Sequence, residues 1–116
     1  MTLIPDRLTL SAALDAVARS DDGLYGVLLE HGTLELGYYR PRGTDLQQPH
    51  DRDELYIVIT GHGVFECDGA RRGFEPGEAL FVPAGIPHRF LDFSDDFGAW
   101  VMFYGPTGGE KTDGRN

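Results

Sequence analysis

Two histidines and a glutamate, His50, Glu54 and His88, are the residues whose types could do chemistry together in this chain. Two imidazoles and one carboxylate suit Fe(II), Mn(II), Ni(II), Co(II) or Zn(II), and leave positions open for water, dioxygen or a chelating substrate. An ion held this way acts as a Lewis acid and a template, and as iron it can also activate dioxygen. Gln48 stands two residues before His50. Its amide oxygen can also coordinate a metal, more weakly and as a harder ligand than imidazole.

The elements around these residues must bring them together. His50 and Glu54 have helical spacing, but Pro49 precedes His50 and the β-branched and aromatic run Leu55-Tyr56-Ile57-Val58-Ile59 follows Glu54, which predicts a strand. On one straight strand the two side chains would lie roughly 13 Å apart, too far to share an ion. The expected solution is a tight turn through Asp51-Arg52-Asp53, with His50 ending one strand and Glu54 beginning the next. His88 follows the turn Pro83 to Pro87 and opens a strand through Phe93.

The two segments resemble the two motifs of the cupin superfamily. The first family motif runs glycine, five residues, His-x-His, three or four residues, glutamate, six residues, glycine. Gln48, His50, Glu54 and Gly61 fit its latter part, while Gly43 is one residue out of register with the leading glycine. The second motif runs glycine, five residues, Pro-x-Gly, two residues, histidine, three residues, asparagine. Gly77, Pro83, Gly85, His88 and Asp92 fit it, with Asp92 in place of asparagine. The match covers residues 43 to 92, and the spacer from Gly61 to Gly77 is short, like that of small bacterial cupins. One departure bears on chemistry: Gln48 stands where the family has its first metal-binding histidine. On that register Gln48 is a possible fourth ligand, and Gln48→His should tighten metal binding.

The resemblance implies an all-β fold, the double-stranded β-helix or RmlC-like jelly-roll barrel, with a divalent transition metal as cofactor. Composition agrees. The 116 residues suffice for one core, 41% are hydrophobic, and 16 glycines with seven prolines predict many turns. The expected organisation is an N-terminal helical segment over 1–22, the barrel over 23–104 and a fraying, glycine-rich tail over 105–116. Ser11 to Arg19 is the predicted helix, with Ser11 as its cap, Asp15 in its first turn, and Leu14 and Val17 facing the body. Strands are predicted at 24–30, 33–40, 46–50, 54–60, 64–67, 71–74, 79–82, 88–93 and 97–104. His31 and His62 fall in hairpin turns.

Alternation along the strands gives an independent check. If Glu54 points inward, so do Tyr56 and Val58. If His88 points inward, so do Phe90 and Asp92. A small polar centre in an apolar chamber is the usual anatomy of a ligand site. Tyr56 and Asp92 are therefore the candidates for orienting the ligands or for catalysis. The opposite face carries Leu55, Ile57 and Ile59, which the N-terminal helix or a second subunit must cover. A homodimer is expected, a mode that the resemblance also implies.

A formal charge of −9 argues against nucleic acid or an anionic membrane as partner, since both need a basic surface. The longest apolar runs are too short to span a bilayer, and no signal peptide is visible. The single cysteine, Cys67, excludes an internal disulfide and reads as a small apolar strand residue. A cytoplasmic location is the default. No nucleophile motif or glycine-rich phosphate loop is present. Three functions fit. The first is a metal-dependent dioxygenase or isomerase-like enzyme acting on a small organic molecule. The second is a non-catalytic metal or ligand-binding module. The third is a metal-independent sugar isomerase or epimerase-like cupin that uses His88 or Tyr56 for acid/base work.

Overall fold

A computed structural model describes residues 6–112. Its elements, among those residues, are α1 (Leu10–Arg19), β1 (Tyr25–His31), β2 (Leu34–Tyr39), β3 (Asp53–Thr60), β4 (Gly63–Cys67), β5 (Ala70–Phe74), β6 (Ala79–Val82), β7 (His88–Leu91) and β8 (Gly98–Tyr104). They form two sheets of antiparallel strands, one in the order β1-β2-β8-β3-β6 and one in the order β5-β4-β7. The fold is the expected all-β double-stranded β-helix with one short helix.

β3 shows why the sheets form where they do. Its β-branched and aromatic residues suit a pleated surface. Alternate positions, Glu54, Tyr56 and Val58, are buried, while Leu55, Ile57 and Ile59 on the opposite face are only partly covered. The buried side chains meet Phe65 of β4, Phe90 of β7 and Val101 of β8 in one core. Aromatic rings dominate it: Phe90 lies 4.9 Å from Tyr56, 5.0 Å from Phe65 and 4.6 Å from Phe97 between ring centroids. Offset and edge contacts of this kind add to the simple burial of area. The β4–β5 hairpin closes on Asp68-Gly69, both at positive φ (51° and 83°), the turn chemistry that matches strand twist.

Several local expectations are corrected. The helix starts at Leu10, and its cap is Thr9 rather than Ser11. Thr9 has extended backbone, and its Oγ1 accepts from the Ala12 N–H at 3.1 Å. Asp15 lies past the first turn and pairs with Arg19 at 3.0 Å. Ala13 and Val17 face the body; Leu14 is 37% exposed. The helix covers one end of the outer sheet face, packing with Tyr38, Ile59 and Trp100. No strand forms over 46–50. The segment 40–52 is irregular, and Asp45 holds it by its side chain instead of by a ladder. β7 ends at Leu91, because Asp92 takes a positive φ of 49°.

Part of the stretch expected to fray is tied down. Gly108 N donates to the Asp51 carbonyl at 2.6 Å, and Glu110 N to Asp53 Oδ2 at 2.8 Å. Residues 113–116 of that tail, and 1–5 of the N-terminal segment, lie outside the described residues. Among the described residues no helix is long and apolar enough to cross a membrane.

Candidate metal centre

His50, Glu54 and His88 come together although each is positioned differently. Glu54 is the second residue of β3 and is 1% exposed. His88 opens β7 and is 5% exposed. His50 lies in the irregular segment before β3, with a third of its side chain open to solvent. The backbone joins the two motif segments directly, since Gly85 N in the β6–β7 turn donates to the His50 carbonyl at 2.6 Å. Next to Glu54, Asp53 is buried and fixes the same turn through Ala84 N, which donates to Oδ1 at 3.0 Å. One nitrogen from each histidine and one oxygen of Glu54 lie within 4.8 Å of one another.

The tautomer of His88 follows from its partner. The Ile86 carbonyl lies 2.9 Å from Nδ1 and can only accept, so Nδ1 carries the proton. The Nε2 lone pair of the neutral ring then faces Glu54 Oε1 at 3.0 Å. That approach has an ion pair's length without a hydrogen bond's angles, and both atoms are buried without a hydrogen-bond partner. Burial pulls the His88 pKa down, but the Glu54 carboxylate and the Ile86 carbonyl outweigh it and the net shift is upward. Buried polar atoms are normally satisfied, so an orphaned pair marks a place for a proton or a cation. His50 Nε2, 3.8 Å from the same Glu54 oxygen, makes a cation the better fit, since three donors then share it.

Tyr56 is the predicted neighbour that the structure brings in. It is 1% exposed, and its hydroxyl donates to Gln47 Oε1 at 3.1 Å. Burial first, and the Glu54 charge next, hold its pKa well above the ordinary phenol value, so it is a proton donor and not a base. Asp92 is not brought in. It is exposed, because its left-handed backbone ends the alternation that was expected to turn it inward. Gln48 is exposed too, and the glutamine beside His50 is Gln47, with Oε1 3.1 Å from Nε2. The motif register places Gln48 at the family's first histidine, but the irregular backbone leaves it exposed and turns Gln47 toward His50. Sequence reasoning also missed Asp45, buried in the same segment. A lone aspartate in a polar loop carries no signal of its own.

A cavity of about 510 Å³ opens from the centre, with His50, Glu54 and Tyr56 in its wall. The rest is largely apolar and aromatic, including Tyr25, Tyr39, Val101 and Phe103. The tyrosine hydroxyls are engaged, Tyr25 to Glu35 Oε2 at 2.8 Å and Tyr39 to Asp45 Oδ1 at 2.6 Å. Both phenols are pushed upward, chiefly by burial. A site of this size and character fits a small organic molecule. His62 is exposed in its turn, as expected, whereas His31, expected in a turn, is the exposed last residue of β1 and pairs with Leu34.

Comparison with known proteins decides the family. The model described as Cupin domain (Cupin_2) matches residues 36–104, more than half of the chain. The chain belongs to the cupin domain family. This cupin is 32% identical to the uncharacterized protein SCO3923 of Streptomyces coelicolor over 95 residues, covering 80% of this chain and 90% of that one. It is 40% identical to acireductone dioxygenase 1 of Coprinopsis cinerea over 47 residues, covering 35% of this chain and 26% of that one. The chain therefore spans about a quarter of that relative. Among solved structures, it superimposes on a Cupin 2 conserved barrel domain protein of Salinispora arenicola with a TM-score of 0.64. That pair is 23% identical, over 90% of this chain and 91% of the other. The last likeness carries the fold alone.

Proposed function

We propose that this cupin holds a divalent transition metal through His50, Glu54 and His88 and acts on a small organic molecule in the adjoining cavity, with dioxygenase-type chemistry. The observation that carries the reading is the orphaned pair Glu54 Oε1 and His88 Nε2, buried at 3.0 Å. The donor set suits Fe, Mn, Ni, Co or Zn. A bound ion of this kind supplies Lewis acidity, and as iron it supplies dioxygen activation. The local likeness to acireductone dioxygenase 1 supports the choice of chemistry.

The chain's own residues have separable tasks. Ile86 fixes the tautomer of His88 and so aims Nε2. Phe103 packs edge-on against the His50 ring, 4.9 Å between centroids, and holds its orientation. Tyr56 stays protonated and gives its one O–H to Gln47 Oε1, which leaves its oxygen to accept from the bound molecule. The apolar wall of Tyr25, Tyr39, Val101 and Phe103 limits water at the centre. A protonated Tyr56 narrows the metal-independent alternative to Tyr56 as an acid or His88 as the acid/base group.

A second copy of this chain fits the outer face of the larger sheet. Leu36, Met102, Leu55 and Phe81 form one row in register across β2, β8, β3 and β6, beyond the reach of the helix. Phe81 is 50% exposed there. A reducing, cytoplasmic setting accords with the free Cys67.

Elemental mass spectrometry of protein purified without a histidine tag tests the metal. Near-stoichiometric metal in the wild type, lost in His88→Ala, is the expected result. Wild type that is metal-free and takes up no added Fe, Mn, Co, Ni or Zn overturns the reading. Oxygen consumption by the iron-loaded protein with a panel of diketones and catechols then separates an enzyme from a binding module.

A further inference from the structure

The side chain of Gln47 has two ends with opposite requirements. Its Nε2 lies 2.6 Å from Asp45 Oδ2, an atom that accepts. The amide nitrogen must therefore be the end facing Asp45, and the amide oxygen must face the other way. That oxygen meets the Tyr56 hydroxyl at 3.1 Å and His50 Nε2 at 3.1 Å. The first contact has a donor. The second has one only while Nε2 carries a proton. Once Nε2 serves as a ligand it presents a lone pair, and two acceptors at this distance repel unless a cation lies against both.

Distances bear this out. Two donor atoms each about 2.1 Å from one ion, at right angles, lie about 3.0 Å apart. Gln47 Oε1 to His50 Nε2 is 3.1 Å and His88 Nε2 to Glu54 Oε1 is 3.0 Å. We infer that Gln47, not Gln48, is a fourth protein ligand of the centre through its amide oxygen, and that Asp45 is the positioning residue that turns this oxygen inward. The inference rests on the metal-binding reading above.

Asp45 is built for that task. It is 5% exposed, and it accepts from Tyr39 Oη at 2.6 Å and Phe90 N at 2.8 Å, so β2 and β7 both anchor it. Gln47 N adds a contact at 3.3 Å. With both carboxylate oxygens engaged, the amide cannot turn over without losing a charge-assisted hydrogen bond. An amide oxygen is harder than imidazole and just as neutral. It leaves the charge of the donor set unchanged and moves preference toward Mn(II) and Fe(II) and away from Ni(II) and Cu(II).

The test is Co(II) titration of the metal-free full chain, reading the visible d–d bands and the dissociation constant, with circular dichroism as the check on folding. Gln47→Ala is expected to shift the bands and weaken Co(II) binding roughly tenfold or more. Gln47→Glu is expected to restore or exceed wild-type affinity, and Gln48→Ala to match wild type in both readouts. Asp45→Asn is expected to change the bands in the same sense as Gln47→Ala with Gln47 intact. Unchanged bands and affinity in Gln47→Ala, beside loss of binding in His88→Ala, overturn the Gln47 assignment and leave the three-residue centre standing. A Gln48→Ala that behaves as expected for Gln47→Ala also overturns it. Unchanged bands in a folded Asp45→Asn overturn the positioning role. Wild type that binds no Co(II) overturns the inference and the metal reading together.

Discussion

Glu54 Oε1 and His88 Nε2 face each other at 3.0 Å in the barrel interior, and neither has a hydrogen-bond partner. The arrangement suits an ion and penalises the empty protein. Glu54→Gln replaces one acceptor with an amide that can donate to Nε2, and removes a buried charge. The metal-free variant is expected to be more stable than metal-free wild type by about 1–3 kcal/mol, the usual cost of an unsatisfied buried group. It should bind metal far more weakly. Urea denaturation in the presence of chelator, beside a Co(II) titration, measures both. A variant less stable than wild type would mean that Glu54 and His88 share a proton favourably in the metal-free protein.

The wall of the cavity depends on a missing side chain. The Tyr25 ring lies over Gly37, and a Cβ built there overlaps it. Gly37→Ala forces the ring away and breaks its hydrogen bond to Glu35. A loss of about 1–3 kcal/mol is expected from overpacking, with altered ligand affinity and intact metal binding, because the atoms nearest a Cβ at Gly37 all belong to the Tyr25 phenol. Thermal denaturation and a Co(II) titration separate the two effects. Loss of Co(II) binding would show that wall and centre are mechanically coupled.

Strand periodicity made Glu54, Tyr56 and Val58 legible as one inward face, and the three are buried together. The proline turn before His88 was equally legible, since a strand has to start after it. Legibility stopped where the period stopped. In the irregular segment 40–52 no repeat says which side chain turns inward; the motif register pointed to Gln48, whereas the glutamine beside His50 is Gln47. The motif supplied spacing there but not backbone direction. Asp92 failed for a related reason: alternation was carried one residue beyond the end of β7 into a left-handed position. Thr9 and Ser11 are both good caps, and only the extended backbone at Thr9 decides between them.

The proposed dimerisation through the outer face makes Phe81 a test residue. It is half exposed at the edge strand β6 and stands opposite Leu55, within the row that continues to Met102 and Leu36. Phe81→Glu places a charge at the exposed end of that apolar strip without touching the core. Light scattering at micromolar protein is expected to give a dimer mass for wild type and a monomer mass for the variant. A monomeric wild type would mean that this face is left to solvent or to a different partner.

Cys67 offers a pH-dependent check on the barrel interior. It stands opposite His88 across the β4–β7 ladder and packs against the aromatic core. Burial, and next the Asp68 carboxylate, both disfavour the thiolate, so its pKa is raised above the ordinary thiol value. Alkylation proceeds through the thiolate. At a fixed pH near 8 the Cys67 thiolate fraction is therefore smaller than that of a free thiol, and iodoacetamide should react more slowly than with a cysteine-containing peptide. Raising the pH should increase the rate, with its midpoint displaced to higher pH than the peptide's. Unfolding in urea should remove the difference, because it removes the burial that causes it. Mass spectrometry of timed reactions measures all three. A native rate equal to the peptide's across this range would mean that Cys67 is open to solvent and that the β4–β7 edge does not close over the core as described.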